Sequence, residues 1–165
     1  MNDSSVVFGE ESVARILHND WVVDGKLQLG AFTLRPKETY ISVNRPSIQS
    51  FMSDVSSFVD SHPSYQHTET TYRCAMLKVK EIREIKVLYE GNPVGIDVEV
   101  EPRTANIASH AGIFTRLGVT NIKHGSTLPA EALPLGISTD DVLMEVGWSL
   151  IGISTIEESS FKREI

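Results

Sequence analysis

The most regular pattern along the chain is an alternation of apolar and charged residues over Val94–Glu101. Ile96, Val98 and Val100 lie on one side of this run, and three carboxylates alternate with them on the other side. Such period-two alternation predicts a half-buried β-strand. The run 84–90 precedes it across a Gly-Asn-Pro turn, and we expect the two segments to pair.

Apolar residues recur at helical spacing in three other segments. One follows Ser47, a favourable N-cap, and extends to about residue 60. Another follows Ser138 and ends near residue 153. A shorter helix is predicted over Glu10–His18, where apolar side chains share a face and the acidic start complements the helix dipole.

Further strands are predicted in three segments, Gln28–Leu34, Thr39–Val43 and Thr71–Val79. Asp24-Gly25 between apolar runs predicts a short hairpin. Strands and helices are mixed without a regular βα alternation, so we expect an α+β fold, with a mostly antiparallel sheet packed against two or three helices. We expect a single domain over 1–165, with 1–5 and 157–165 loose.

The composition is that of an ordinary globular protein, with 41% apolar and 22% charged residues. The net charge of −7 disfavours binding to nucleic acid or anionic lipid and suits a basic protein partner. No apolar run reaches the length of a membrane span, and the N-terminus does not read as a secretory signal. The single cysteine, Cys74, excludes an internal disulfide and is expected to be a buried small hydrophobe. We therefore expect a cytoplasmic location.

Three carboxylates, Asp97, Glu99 and Glu101, alternate on one predicted strand face. Alternate residues of a strand stand about 6–7 Å apart, so these groups can bind a hard cation or raise one another's pKa. The alternative is a solvated sheet face on which they pair with Lys78, Lys80 and Lys86 across the sheet.

Two histidines are candidates for acid–base chemistry, because imidazole changes its charge near neutral pH. His110 is surrounded by small residues that allow a ligand to approach closely, and His18 shares a predicted helix face with Arg15. The alternative is that both are structural or merely exposed.

The segment Ile41–Arg45 presents Ser42 on a strand that ends in an arginine, which can hold a phosphate or carboxylate. Arg103, in a polar turn, is a further candidate for ligand binding. The sequence contains no Walker A motif, GxGxxG, HExxH, CxxC pair or EF-hand loop, so we expect no cofactor and no metal centre.

Short motifs resemble a group of small uncharacterised bacterial proteins with no established activity: Arg15–His18, Asp24-Gly25, Gly30–Phe32, Ile41–Val43 and Ser109–Ile113. The resemblance implies a bacterial origin. The Arg/His segment followed by a serine strand also resembles ADP-ribosyltransferase-like folds.

Two hypotheses for function follow. The first is a non-catalytic accessory module that binds a protein partner, for example in a defence or toxin-neutralising system. The alternative is a small enzyme acting on a nucleotide or phosphorylated ligand, with His18 and His110 in acid–base roles, Ser42 orienting the ligand, and Arg15 and Arg45 binding the anion.

Overall fold

The computed structural model describes residues 6–34, 38–89, 91–100, 107–118, 120–122 and 139–160. Within these ranges the strands are β1 (Ser12–Ile16), β2 (Val22–Val23), β3 (Lys26–Leu27), β4 (Tyr40–Asn44), β5 (Thr71–Lys78), β6 (Val87–Tyr89), β7 (Asn92–Val100), β8 (His110–Leu117), β9 (Thr120–Asn121) and β10 (Thr155–Ser160). The α-helices are α1 (Phe51–Ser61), α2 (Val79–Arg83) and α3 (Thr139–Ile153). Short 3₁₀ turns occur at Asn19–Trp21, Leu29–Phe32 and Pro63–Tyr65.

Eight strands form one sheet in the order β10-β5-β1-β4-β8-β7-β6, and β9 pairs with the end of β8. All of these pairings are antiparallel. β2 and β3 form the predicted hairpin, in which Asp24 and Gly25 have φ angles of 51° and 75°. Two positive φ values are what a tight two-residue hairpin requires. The predicted α+β fold with a mostly antiparallel sheet is confirmed.

The sheet is covered differently on its two faces. On one face α1 packs through Val55 and Val59 against Ala14 of β1 and against β5. On the other face α2 and α3 cover the larger core, which includes Val13 of β1. Because α1 lies over β1 and β5, it leaves β4 and the beginning of β8 partly open on its own face.

The predicted helix at Glu10–His18 is wrong, because this segment contains β1. Val13, Ala14, Ile16 and Leu17 are all buried. β1 is a central strand with apolar layers on both faces, so its sequence lacks the polar alternation of a half-buried strand. The resulting apolar cluster has the spacing of a helix face.

Other boundaries also differ from the predictions. The helix near residue 47 begins at Phe51 after Ser50, and Ser47 instead donates a hydrogen bond to Glu11. The segment Gln28–Leu34 forms a 3₁₀ turn rather than a strand. The predicted strand Thr71–Val79 is confirmed as β5, and the 84–90 run contributes the shorter β6, which pairs with β7.

The C-terminal segment was expected to be loose from residue 157 onwards, and this is wrong for residues 157–160. They belong to β10, which pairs with β5 from Thr155–Met76 to Ser160–Thr71. The predicted helix ending near residue 153 is confirmed as α3. None of the described helices combines the length and hydrophobicity needed to cross a membrane.

Candidate functional site: a cleft between the sheet and helix α1

The open part of the α1 face begins at the pairing of β4 with β8. Register places Ser42 beside Gly112 and Asn44 beside His110, so these residues share one face of the sheet. A Cβ atom at Gly112 would lie only 2.6 Å from Cδ2 of Tyr40. The glycine therefore gives the Tyr40 ring room to lie over β8.

Arg15 occupies the place where β1 and β4 separate. Within the described residues these strands pair only at Ala14–Asn44. Beyond that pair, Nη1 of Arg15 donates to the carbonyl of Ser42 at 2.9 Å, and its Nε donates to the carbonyl of Ala31 at 3.0 Å. The guanidinium also stacks over Trp21, with Cζ 4.8 Å from the ring centroid. A side chain thus bridges the two strands where main-chain pairing stops.

The separation of β1 from β4 and the position of α1 leave a cleft of about 270 Å³. Its walls come from β1, β4, α1, the 3₁₀ turn before β5, and the beginning of β8. The lining residues are Arg15, Ile16, Tyr40, Ser42, Asn44, Asp54, Phe58, Tyr65, Ile107 and His110. This volume lies just below the usual range for small-molecule sites, roughly 300–1,000 Å³.

Aromatic rings form much of the apolar wall. Phe58 and Tyr65 make an edge-to-face contact with ring centroids 4.8 Å apart. Tyr40 makes a similar contact with the His110 imidazole at 5.9 Å. These mutual contacts hold the rings in defined orientations, as aromatic pairs prefer.

A hydrogen-bond network forms the polar wall. Asp54 of α1 accepts three bonds at one oxygen, Oδ2: from the Ser50 hydroxyl (2.8 Å), the Ser109 hydroxyl (2.7 Å) and the Ser109 main-chain N–H (3.1 Å). Ser109 is fully buried, and its hydroxyl also accepts from Nδ2 of Asn44 at 3.0 Å. The network ties α1, β4 and the beginning of β8 together directly beside His110.

Three of the predicted site residues, Arg15, Ser42 and His110, line this cleft, although they are far apart in sequence. His18 does not line it. The His18 ring contacts Tyr65 at 5.2 Å, and its Nδ1 accepts a hydrogen bond from the Asp20 main chain, so it lies behind the aromatic wall.

Arg45 is placed elsewhere, and its side chain is only 2% exposed. Its guanidinium makes two bonds to the carboxylate of Glu11, at 3.0 and 2.9 Å, and one to the carbonyl of Val6. Burial alone would raise the pKa of Glu11, but hydrogen bonds from Arg45, Ser47 and the Phe8 main chain outweigh it and lower that pKa. Arg45 therefore fastens the N-terminal segment to β4 and does not line the cleft.

The carboxylates of β7 pair with arginines, not with the lysines that the sequence suggested. Asp97 accepts from Arg83 at 2.7 Å, and Glu99 makes two bonds to Arg116. The bonds to Glu99 raise the pKa of Arg116. Glu101 and Arg103 lie outside the described residues, and the described part of the chain contains no cluster of three metal-ligating side chains.

The sequence analysis missed Asp54, although the pattern of α1 contains a signal for it. Asp54 stands between Phe51, Val55 and Phe58, at the spacing of the apolar stripe. A carboxylate on the stripe that faces the sheet needs polar partners there. Asn44 and Ser109 could be paired with it only once the register of β4 with β8 was known.

In comparisons with known proteins, no family model matches this chain, and no curated protein or solved structure gives a significant match. The resemblance to a group of bacterial proteins stays a prediction. Within the described residues, the fold and the cleft define a class, an α+β protein with a cleft on the helix α1 face of its sheet.

Proposed function

We propose that the protein binds a small molecule carrying a planar ring in the cleft between the sheet and α1. The observation that carries the proposal is the convergence of Ser42, Asn44, Asp54 and His110 from three separate elements onto one aromatic-lined cavity. An apolar cleft with a few convergent polar groups is the usual form of a ligand site. The small-molecule hypothesis thereby gains support over the accessory-module hypothesis.

Two cleft residues give the site the means for chemistry on its ligand. His110 carries an imidazole, the side chain best suited to proton transfer near neutral pH. The Ser42 hydroxyl is half-buried and makes no hydrogen bond within the described residues, so it can orient a bound group. An enzyme is thus the favoured form of the proposal. A cytoplasmic location is part of the same proposal, and the buried free thiol of Cys74 supports it.

The test is a thermal-shift panel of nucleosides, nucleotides, NAD and sugar phosphates on the wild type and on His110→Ala. A ligand at a hundred times its Kd adds about 2.7 kcal/mol of stability, which raises Tm by roughly 5–10 °C in a domain of this size. We expect at least one compound to raise Tm in the wild type, with a smaller rise in His110→Ala.

The matched control is His67→Ala, which removes an exposed histidine outside the cleft. It should retain the full ligand-induced rise. Two results would count against the cleft as the binding site. One is that no compound raises the Tm of the folded protein, and the other is that both substitutions reduce the ligand-induced rise in Tm equally.

A protein-binding role is the second proposal, and a separate observation favours it. Met144 and Trp148 lie one turn apart on α3, on the sheet face opposite the cleft, and are 49% and 54% exposed. Aromatic and methionine side chains are enriched in protein interfaces. Trp148→Ser should abolish partner capture in a pull-down while leaving ligand-induced shifts of Tm intact, which separates the two proposals.

A further inference from the structure

The hydrogen-bond network beside His110 fixes which atoms its members offer to the cleft. A serine hydroxyl has one hydrogen, and that of Ser109 is donated to Oδ2 of Asp54. The bond between Ser109 and Asn44 must therefore use an N–H of the amide as donor, which identifies Nδ2 as the atom facing Ser109. The Asn44 side chain consequently has a determined orientation, with Oδ1 directed away from that bond.

This arrangement leaves two side-chain oxygen atoms available to accept hydrogen bonds from a ligand. All three hydrogen bonds to Asp54 end on Oδ2, and its Oδ1 accepts none from the described residues. Oδ1 of Asn44 likewise accepts none within that part of the chain. Both residues line the cleft, so its polar wall carries two acceptors held by one rigid network.

A cleft wall that presents these two hydrogen-bond acceptors favours a ligand that carries hydrogen-bond donors. A phosphate group carries negative charge and only accepts, so it is repelled by the Asp54 carboxylate. An amino group supplies donors, and hydrogen bonds to an ionised acceptor are the stronger kind. The neighbouring rings of Tyr40, Phe58 and Tyr65 suit a flat partner.

We infer that the cleft recognises a planar nitrogen heterocycle bearing an exocyclic amino group, such as an amino-substituted nucleobase or nucleoside, with Asp54 Oδ1 and Asn44 Oδ1 accepting from it. This inference rests on the proposed function and names its ligand class. It makes Asp54 and Asn44 specificity-determining residues, a role distinct from that of His110.

The test uses two matched pairs of probes, adenosine against inosine and cytidine against uridine. Each pair exchanges an amino group for an oxo group on the same ring. We expect the amino member of at least one pair to bind the wild-type protein roughly tenfold more tightly, by titration calorimetry. The oxo members keep one N–H, on the adjacent ring nitrogen, but their oxo group accepts where the amino group donates, so at least one of the two acceptors is left unpaired. Asp54→Asn should reduce that ratio to about one, since the amide no longer presents the same charged acceptor.

Asp54→Asn places an amide beside three donors and can unfold the protein, so Asn44→Ala provides a second variant, expected to reduce the same ratio. His67→Ala is the control: His67 is exposed and lies outside the cleft, and its loss should leave the ratio unchanged.

The outcomes separate the two proposals. Equal binding of both members in each pair by the wild type, or tighter binding of the oxo members, overturns the inference and leaves the cleft as a ligand site. Binding of sugar phosphates with no binding of any nucleoside does the same. If no compound in this panel or the earlier one binds, the proposed function fails and the inference fails with it.

Discussion

Three arginines of the described residues each form an ion pair with a carboxylate. In order of decreasing burial, these ion pairs are Arg45 with Glu11, Arg116 with Glu99 and Arg83 with Asp97. Only the first is buried enough to have a large effect, because exposed pairs contribute about 1 kcal/mol or less. The pair Arg45–Glu11 is therefore the one whose disruption should be visible in global stability.

Replacing Glu11 by Gln should destabilise the fold by about 3 kcal/mol, since it removes the charge of the carboxylate that pairs with the buried guanidinium of Arg45. Urea unfolding at neutral pH measures this. Glu10→Gln is the control, because Glu10 is an exposed neighbour, and it should change stability by less than about 0.5 kcal/mol.

The same carboxylate gives stability a defined dependence on pH. The folded-state pKa of Glu11 lies below its ordinary value of 4.5, so its contribution is present above that pH and is lost as the pH falls through the lowered value. Between neutral pH and the acid limb, the free energy of unfolding should fall less steeply in Glu11→Gln than in the wild type. If the free energy of unfolding fell equally steeply in both proteins as the pH decreased, other carboxylates would dominate the pH dependence of stability.

Cys74 should be nearly inert to thiol reagents in the native state. The thiol is 2% exposed, and burial together with the nearby charge of Glu157 raises its pKa to about 12. Because the thiolate is the reactive form, modification by a disulfide reagent at about pH 8 should be at least roughly 100-fold slower in buffer than in denaturing urea. Comparable rates would mean that β5 opens readily.

At the scale of elements, two glycines of α3 have opposite roles. A Cβ at Gly147 would lie 2.9 Å from Leu29 Cδ1 and 3.2 Å from the carbonyl oxygen of Phe32, whereas one at Gly152 meets nothing within 4 Å. Gly147 therefore allows α3 to approach the 3₁₀ turn closely, and Gly152 only lowers helix propensity.

Substitution by alanine should separate these roles. Gly152→Ala is expected to stabilise the protein by up to about 1 kcal/mol through helix propensity. Gly147→Ala should destabilise it by about 1 kcal/mol or more, because the main chain of the turn must move. The two variants serve as each other's control in urea unfolding, and an equal gain from both would contradict the close packing.

The elements that could be predicted from sequence are those with one polar face. The alternation in β7 and the stripes of α1 and α3 reflect half-burial, and all three elements were located. β8 was not predicted as a long strand. β1 was predicted as a helix because it is central and apolar on both sides. Periodicity alone does not distinguish such a strand from a buried helix.

The candidate site was predictable in its residue types but not in its assembly. Arg15, Ser42 and His110 are chemically conspicuous, and each was selected in isolation. Their neighbours Asp54 and Asn44 can be recognised as site residues only from the register of β4 with β8 and the position of α1 over the sheet. Long-range register depends on tertiary packing, which local patterns do not encode.

At the scale of the whole molecule, the sheet interleaves distant parts of the chain. β10, the last described strand, pairs with β5, which in turn pairs with β1, the first described strand. Such non-local pairing favours slow folding, because loops must close before the contacts form. One edge of the sheet is therefore formed by β10, the last described strand, which covers β5.

Removal of β10 should therefore weaken the protein well beyond its own six residues. We compare a chain ending at Ser160 with one ending at Ser154, so that the difference isolates this strand. Loss of the cross-strand pairs should cost roughly 1–6 kcal/mol, at about 0.2–1 kcal/mol per pair. It also leaves a row of unpaired main-chain groups on β5, which invites association between molecules.

Cys74 provides a local reporter for this change, because Glu157 is its cross-strand partner. In the shorter chain, we expect thiol modification to be faster, Tm to be lower and association to rise with protein concentration in light scattering. The chain ending at Ser160 should retain slow modification. If the shorter chain kept the same Tm and a protected thiol, β5 would be closed by its other neighbours alone, and the stability of this sheet would reside in its centre around β1, β4 and β8, beside the cleft.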